Sequence, residues 1–314
     1  MNGAVIQASH LSKTFPGGVV AVNNLDLEIS PGAVYGMAGR NGSGKTTTLR
    51  LLMGLLQADH GAARVFGWDF WTAPRAVRMR AAYVAQSPQL PGWMSLEDLC
   101  RCLARFHVNW DKTHARDLAR AWELPWKRSV GSLSNGEQRK VAVLLAFASR
   151  PDVLVLDEPA SGFDLVARRE LLEQIVDAIT RSDGCTVLLS THVIADLERV
   201  ADHIGVIEGG RMKMSVRLED LLSRTKRVQV IFAENEPAQN VAIPGVLRSR
   251  TAGSVVNAVV QVADDRELDA LRGTTNARVQ IFPIGLEEIF LELFGRDDRN
   301  GNELVNNNET KERE

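Results

Sequence analysis

GRNGSGKT, Gly39 to Thr46, is the stretch on which the fold of this chain turns. Gly39 and Gly44 stand where backbone amides must come close to an anion, and Lys45 and Thr46 follow at the spacing of a phosphate-binding loop. The apolar run Ala33 to Ala38 precedes it, and Leu49, Leu52, Met53 and Leu56 follow at helical spacing. The order is therefore strand, loop, helix. In that setting Lys45 holds β- and γ-phosphates, Thr46 offers its hydroxyl to Mg²⁺, and a helix beginning near Lys45 turns its positive end toward the phosphates.

Downstream, VLVLDEP, Val153 to Pro159, sets Asp157 and Glu158 at the end of a buried strand. Ligands of open α/β sheets sit at that end. Asp157 is suited to a hydrated Mg²⁺ and Glu158 to polarising a water in line with a γ-phosphate. The plainer reading is a carboxylate pair that ends a strand and caps the next helix; downstream of a phosphate loop it is the lesser one. A second apolar run, Thr186 to Leu189, lies beyond the helical stretch Val166 to Thr180, so the two runs are expected to be parallel strands of one sheet.

Between these segments lies SLSNGEQRK, Ser132 to Lys140. Ser134 and Glu137 have the spacing of a capping box at a helix start. A capped helix end with Ser134 and Gly136 exposed is also an anion site, and the two readings are compatible.

These segments, in this order, resemble the nucleotide-binding subunit of an ABC transporter over residues 1 to about 217. The resemblance rests on six segments. They are the loop Gly39 to Thr46, Gln86 in YVAQ, the signature Leu133 to Glu137, the Asp157-Glu158 pair, SGFD at Ser161 to Asp164, and His192. Phe15, after LSK, resembles the aromatic on which adenine stacks.

The resemblance implies an ATPase using ATP and Mg²⁺. Its cofactor contacts would be Phe15, the loop residues Gly39, Arg40, Asn41, Gly42, Ser43, Gly44, Lys45 and Thr46, and the following Thr47. A partner's Ser134, Asn135, Gly136 and Glu137 would close over the nucleotide in a head-to-tail dimer. Glu158 would be general base, His192 would contact the γ-phosphate, Gln86 would sense Mg²⁺ and the membrane partner, and Asp164 would couple the two sites. Thr46, Gln86 and Asp157 would surround the metal. The usual LSGGQ reads LSNGE here, with Asn135 and Glu137. Glu137 would bring negative charge toward a nucleotide unless it folds back on the Ser134 amide.

Working outward, Leu25, Leu27 and Ile29 alternate with Asp26 and Glu28 as in a half-buried strand, and Pro31-Gly32 turns the chain into a small antiparallel sheet. Ser95 to Ser129, rich in Trp, Arg and Leu without β-branched runs, reads as a helical insertion within about 88–140. The expected fold is α/β: a P-loop NTPase core with antiparallel β and helical subdomains at 1–217, then a small α+β domain at 218–296. In the latter Val228 to Phe232, Val255 to Val262 and Val279 to Ile284 read as strands and Asp264 to Arg272 as a helix. Leu286, Ile289, Phe290, Leu293 and Phe294 form one helical apolar stripe. IGLEEIFLELFGR, Ile284 to Arg296, resembles the closing helix of ATPase subunits from bacterial ABC-2-type exporters. The polar tail 297–314 is expected to be disordered.

Of 314 residues, 45% are hydrophobic and 24% charged, and the formal net charge is −2, so no basic field collects nucleic acid. Cys100, Cys102 and Cys185 form no even set and read as reduced thiols of a cytosolic protein. Met1 to His10 lacks the features of a secretory signal. The apolar stretch Val141 to Ala148 is far short of the roughly 20 residues that span a bilayer.

The chain is therefore expected in the cytoplasm, peripheral on the inner face of the membrane. Its expected partners are a separate integral membrane permease and a second ATPase subunit, identical or not. A soluble switch ATPase acting on ribosomes or nucleic acid is the alternative reading. A nucleotide-binding partner that does not hydrolyse is a third, disfavoured by the presence of Lys45, Asp157, Glu158 and His192.

Overall fold

The computed structural model describes residues 3–181, 184–233, 242–262, 266–268, 271 and 277–294. Two compact units divide the chain, Met1–Leu221 and Leu222–Glu314. In the first, β1 (Ile6–Phe15) and β2 (Val19–Ile29) form an antiparallel hairpin. Leu25, Leu27 and Ile29 are buried while Asp26 and Glu28 face water, as the alternation requires. The chain then dives into β3 (Val34–Ala38), buried throughout, which runs through the glycine-rich loop into α1 (Lys45–Leu52). Next, β4 (His60–Val65) returns to pair with β1 and completes a three-stranded sheet in the order β2-β1-β4.

After α2 (Arg75–Arg78) and β5 (Ala81–Val84) come α3 (Leu96–Leu103), α4 (Lys112–Ala121) and α5 (Asn135–Ala148). Side chains of Ser95, Asp111 and Ser134 cap α3, α4 and α5 in turn, each satisfying a first-turn amide. The apolar stretch Val141 to Ala148 is the inner half of α5, buried except at Ala142.

The remaining elements of this unit are β6 (Val153–Asp157), α6 (Leu165–Thr180), β7 (Thr186–Ser190), α7 (Ile194–Val200), β8 (His203–Glu208) and β9 (Arg211–Arg217), and α8 (Leu218–Arg224) runs across its end at Leu221. A six-stranded sheet of order β5-β6-β7-β3-β8-β9 is the result, parallel except for β9. Strands β3, β6 and β7 are wholly buried, which is why they read as unbroken apolar runs.

The second unit holds β10 (Thr225–Ile231), β11 (Val246–Ala252), β12 (Val255–Gln261), β13 (Arg278–Pro283) and α9 (Leu286–Phe294). The sheet is antiparallel, ordered β11-β12-β10-β13. Val228, Val230, Phe232, Val256, Ala258, Val260 and Val262 pack with Leu268 and Leu271 to form its core. Leu286 and Ile289 of α9 are buried, and ion pairs Arg227–Glu288 and Arg248–Glu292 fasten that helix to β10 and β11. Of the helix expected at Asp264 to Arg272, Arg266 to Leu268 and Leu271 are helical and the rest lies outside the described residues. So do Gly295 and Arg296 of the quoted C-terminal motif and the tail 297–314.

Candidate functional site

The carboxyl ends of β3, β6 and β7 meet at one edge of the large sheet. Parallel register puts Met37 beside Ser190 and Asp157 beside Ser190, so the loops after the three strands open into a shared crevice. The loop after β3 needs its glycines. A Cβ on Gly39 would lie 2.4 Å from the Ile207 carbonyl oxygen, and one on Gly44, whose φ is 110°, would lie 2.3 Å from that of Ala21. Gly44 also occupies the N-cap of α1, where no side chain caps the helix. The first amides of α1 are thus left for an anionic ligand. Arg40, Asn41 and Gly42 are exposed on the loop, Ser43 is buried, and Thr46 and Thr47 are half-buried.

Lys45 is only 6% exposed; its Nζ donates to the carbonyls of Gly39 at 2.7 Å and Arg40 at 3.3 Å, and lies 3.7 Å from Glu158 Oε1. Burial pushes the Lys45 pKa down, while the charges of Glu158 and Asp157 push it back up. Asp157 is fully buried. Its Oδ1 accepts from Thr46 Oγ1 at 3.1 Å and Ser190 Oγ at 2.7 Å, and its Oδ2 from the Tyr83 hydroxyl at 3.4 Å. The Tyr83 phenol is pushed up by burial and by the charge of Asp157.

Glu158 leaves the strand with a left-handed backbone, φ 50°, uncommon for a side chain of its size and found at functional sites. Its amide donates to the Ser190 carbonyl at 3.1 Å and to Ser190 Oγ at 3.1 Å, which fixes the turn. Glu158 Oε2 lies 2.6 Å from His192 Nδ1 and accepts from the His192 amide at 3.3 Å. Oε1 is buried with no hydrogen-bond partner among the described residues, and Lys45 is the cation beside it. A buried carboxylate oxygen without a donor is costly unless something completes its environment.

The oxygen donors around Asp157 suit a hard divalent cation such as Mg²⁺, which binds through one or two carboxylates, water and phosphate oxygens. Among the described residues no group of three or more His, Cys, Asp or Glu could hold a metal by itself. A shared site between Asp157, the Thr46 hydroxyl and a phosphate ligand is what these residues fit.

The other candidate residues sit elsewhere. Ser134 and Asn135 are exposed at the start of α5, and Gly136 is half-buried. Glu137 folds back as a complete capping box: its Oε2 accepts from Ser134 N at 2.8 Å and Ser134 Oγ at 2.7 Å, while its own amide donates to Ser134 Oγ at 3.2 Å. Those bonds hold the Glu137 pKa below its ordinary value. Among the described residues, no hydrogen bond or ion pair joins Ser134–Glu137 to the Lys45–Asp157–Glu158 cluster.

Gln86 is exposed, and its backbone carbonyl accepts from Arg139. Asp164 caps α6, accepting from Ala167 N at 2.8 Å, and Phe15 ends β1 at 36% exposure. Ser190 and Tyr83, which hold Asp157, are additions that motif reading does not single out; the register of β6 against its neighbours is the signal that brings them in.

A family model described as "ABC transporter" matches residues 22–161. The ABC transporter ATP-binding protein YtrB of Bacillus subtilis (strain 168) is 29% identical over 293 residues, covering 93% of this chain and 98% of that protein. A Nod factor export ATP-binding protein I from Cupriavidus metallidurans is 32% identical over 304 residues, covering 94% and 99%. Among solved structures, one described as an ATP binding subunit of an ABC transporter superposes with a TM-score of 0.63 at 26% identity, covering 70% of this chain and 92% of that one.

Proposed function

The chain belongs to the ATP-binding proteins of ABC transporters, and from that membership we propose that it drives a separate membrane permease by Mg-dependent hydrolysis of ATP, in the direction of export. The observation that carries the proposal is the buried pair Lys45 and Glu158, with the exposed His192 ring against one Glu158 oxygen and the other oxygen lacking a donor.

In this reading the amides of Gly39 to Thr46 and Lys45 Nζ bind the phosphates, and Thr47 extends the loop's hydroxyl row. Phe15 stacks on the adenine. Lys45 exchanges its contacts with the Gly39 and Arg40 carbonyls for phosphate oxygens. Asp157 and Thr46, with Gln86 as a further candidate, would hold Mg²⁺, whose charge would offset that of the β- and γ-phosphates. Glu158 Oε1 orients the attacking water and takes its proton as oxygen adds to the γ-phosphorus and ADP departs. His192 holds Glu158 through Nδ1 and contacts the γ-phosphate.

Because Ser134, Asn135, Gly136 and Glu137 lie apart from the Lys45 cluster, we assign them to the nucleotide of a second ATPase subunit, with Asp164 coupling the two sites. Closure and reopening of that pair would work the permease through the Gln86 segment and α3–α4. No helix among the described residues is long and apolar enough to cross a membrane, which agrees with a separate permease chain. We place the protein on the cytoplasmic face of the membrane, with an ATP-binding domain at 1–217 and an accessory α+β domain at 218–296. Export rests on the relatives: the one from Cupriavidus metallidurans is described as acting in Nod factor export.

Calorimetry with Mg-ATP and phosphate release on the purified protein test the chemistry. The parent is expected to bind and hydrolyse, and Lys45→Ala to lose both. If the parent takes up no Mg-ATP and Lys45→Ala behaves identically, the reading is wrong. Crosslinking in native membranes tests the coupling, and recovery of no integral membrane protein overturns the transport assignment.

A further inference from the structure

The first two turns of α5 have an outer and an inner side. Outward, Ser134 and Asn135 are exposed. On the other side the half-buried Arg139 reaches the exposed Gln86, 53 positions earlier: its Nε and Nη2 donate to the Gln86 carbonyl at 3.1 and 2.6 Å. The same guanidinium flanks the loop after Glu158, since a Cβ on Gly162 would stand 3.2 Å from Arg139 Nη1. Gly136 abuts that loop too, its Cβ position being 3.4 Å from the Gly162 carbonyl oxygen. The next residue, Lys140, lies 5.8 Å over the Phe163 ring and 3.7 Å from Asp164. Phe163 in turn meets the buried Trp122 edge-on at 6.2 Å.

Three segments far apart in sequence are thus gathered on one helix end. We propose that Arg139 is a positioning residue that makes the Gln86 segment and the Ser134 end of α5 move as one body, so that occupancy of the Lys45 site is felt at the face offered to a second subunit. This rests on the function proposed above. Arginine suits the task because its planar fork puts two donors on one carbonyl and so fixes direction as well as distance. Lysine, a flexible point charge, keeps the attraction and loses the direction. The acceptor is a main-chain oxygen, so the contact persists whatever side chain occupies position 86.

A staple that merely stabilises the fold would lower the melting temperature and ATP affinity together with the rate. The proposal separates these quantities. In the full-length protein, Arg139→Ala is expected to keep the parent's Kd and KM for ATP within about twofold while kcat falls roughly 3- to 30-fold, the range in which coupling residues act. Arg139→Lys is expected to recover part of the loss. Hydrogen exchange with and without Mg-ATP supplies the second readout. Protection at 39–46 is expected to remain in Arg139→Ala, and protection at 133–140 to disappear.

The inference fails alone if the parent hydrolyses ATP and Arg139→Ala matches its kcat. It fails equally if kcat drops only in step with Tm or Kd, or if nucleotide still protects 133–140. A parent that binds no Mg-ATP overturns the functional reading, and this inference with it.

Discussion

Glu158 and Glu137 carry the same carboxylate in opposite circumstances. Glu158 is buried, turned by a left-handed backbone, fastened through one oxygen to His192, and left with its other oxygen without a donor. Glu137 stands at the start of a helix with its charge taken up by the Ser134 amide and hydroxyl. One environment keeps an acceptor available for a reacting proton, and the other uses its acceptor for local structure. The difference shows that what a carboxylate is free to do depends on which hydrogen bonds already occupy its oxygens.

The strongest way to break the comparison is to remove the charge at the buried end. Glu158→Gln keeps the shape and the donor-acceptor reach toward His192 and abolishes the base. Steady-state phosphate release is expected to fall about 10²- to 10³-fold, within the range for loss of a general base, while ATP binding by calorimetry stays within a few-fold. A variant as fast as the parent would assign the base to another group.

A smaller effect is expected behind His192. Asp196, in the first turn of α7 and buried, accepts from Arg168 Nε at 2.8 and 2.9 Å. Arg168 lies one turn after Asp164 on α6, so this pair ties the helix start at Asp164 to the start of α7, which follows His192. Asp196→Ala leaves a partly buried guanidinium alone. A loss of about 2–3 kcal/mol is expected, read as a Tm lower by roughly 5–10 °C for a unit of this size. An unchanged Tm would mean that Arg168 escapes to water, and that the buried side of the site is less rigidly supported than its contacts imply.

The same contrast explains what sequence could supply. Strands β3, β6 and β7 are apolar on both faces, so their runs stand out. The hairpin strand β1 was harder because its pairing with β2 shifts register between Ala8 and Leu11 and again between Leu11 and Lys13, which breaks the alternation. Four-residue β5, AAYV, lacks the length that marks a strand, whereas β9 does carry the alternation, Met212, Met214 and Val216 between Arg211, Lys213, Ser215 and Arg217, and was legible in principle. At the site, Lys45, Asp157, Glu158 and His192 lie near one another at the sheet edge; the loop and strand motifs single out the first three, and His192 enters only through the family resemblance. Ser190 and Tyr83 enter only through strand register, and Arg139 only through a contact made across the fold. The Ser134–Glu137 box was legible because its bonds span three residues.

That local box permits the subtlest test. Glu137 titrates below its ordinary value because Ser134 donates to its charged form. A carboxylate whose folded-state pKa is lowered contributes stability fully above the unfolded value, and that contribution is lost as pH falls through the folded one. Protection of the first α5 amides against hydrogen exchange should therefore weaken on acidification below the ordinary glutamate range in the parent. In Glu137→Gln that acid-side step should vanish, because the amide oxygen accepts the same bonds without titrating.

At neutral pH the same variant is expected to change stability by only a few tenths of a kcal/mol, since the group is solvent-screened. Its distinctive effect should fall on assembly: if the face we assign to a second subunit's nucleotide is the Ser134 end of α5, then with the charge gone Mg-ATP should drive dimerisation at lower protein concentration, measured by sedimentation. Identical sedimentation of parent and variant would mean that Ser134 already absorbs the charge completely, and the departure from the usual signature at position 137 would then carry no cost to closure.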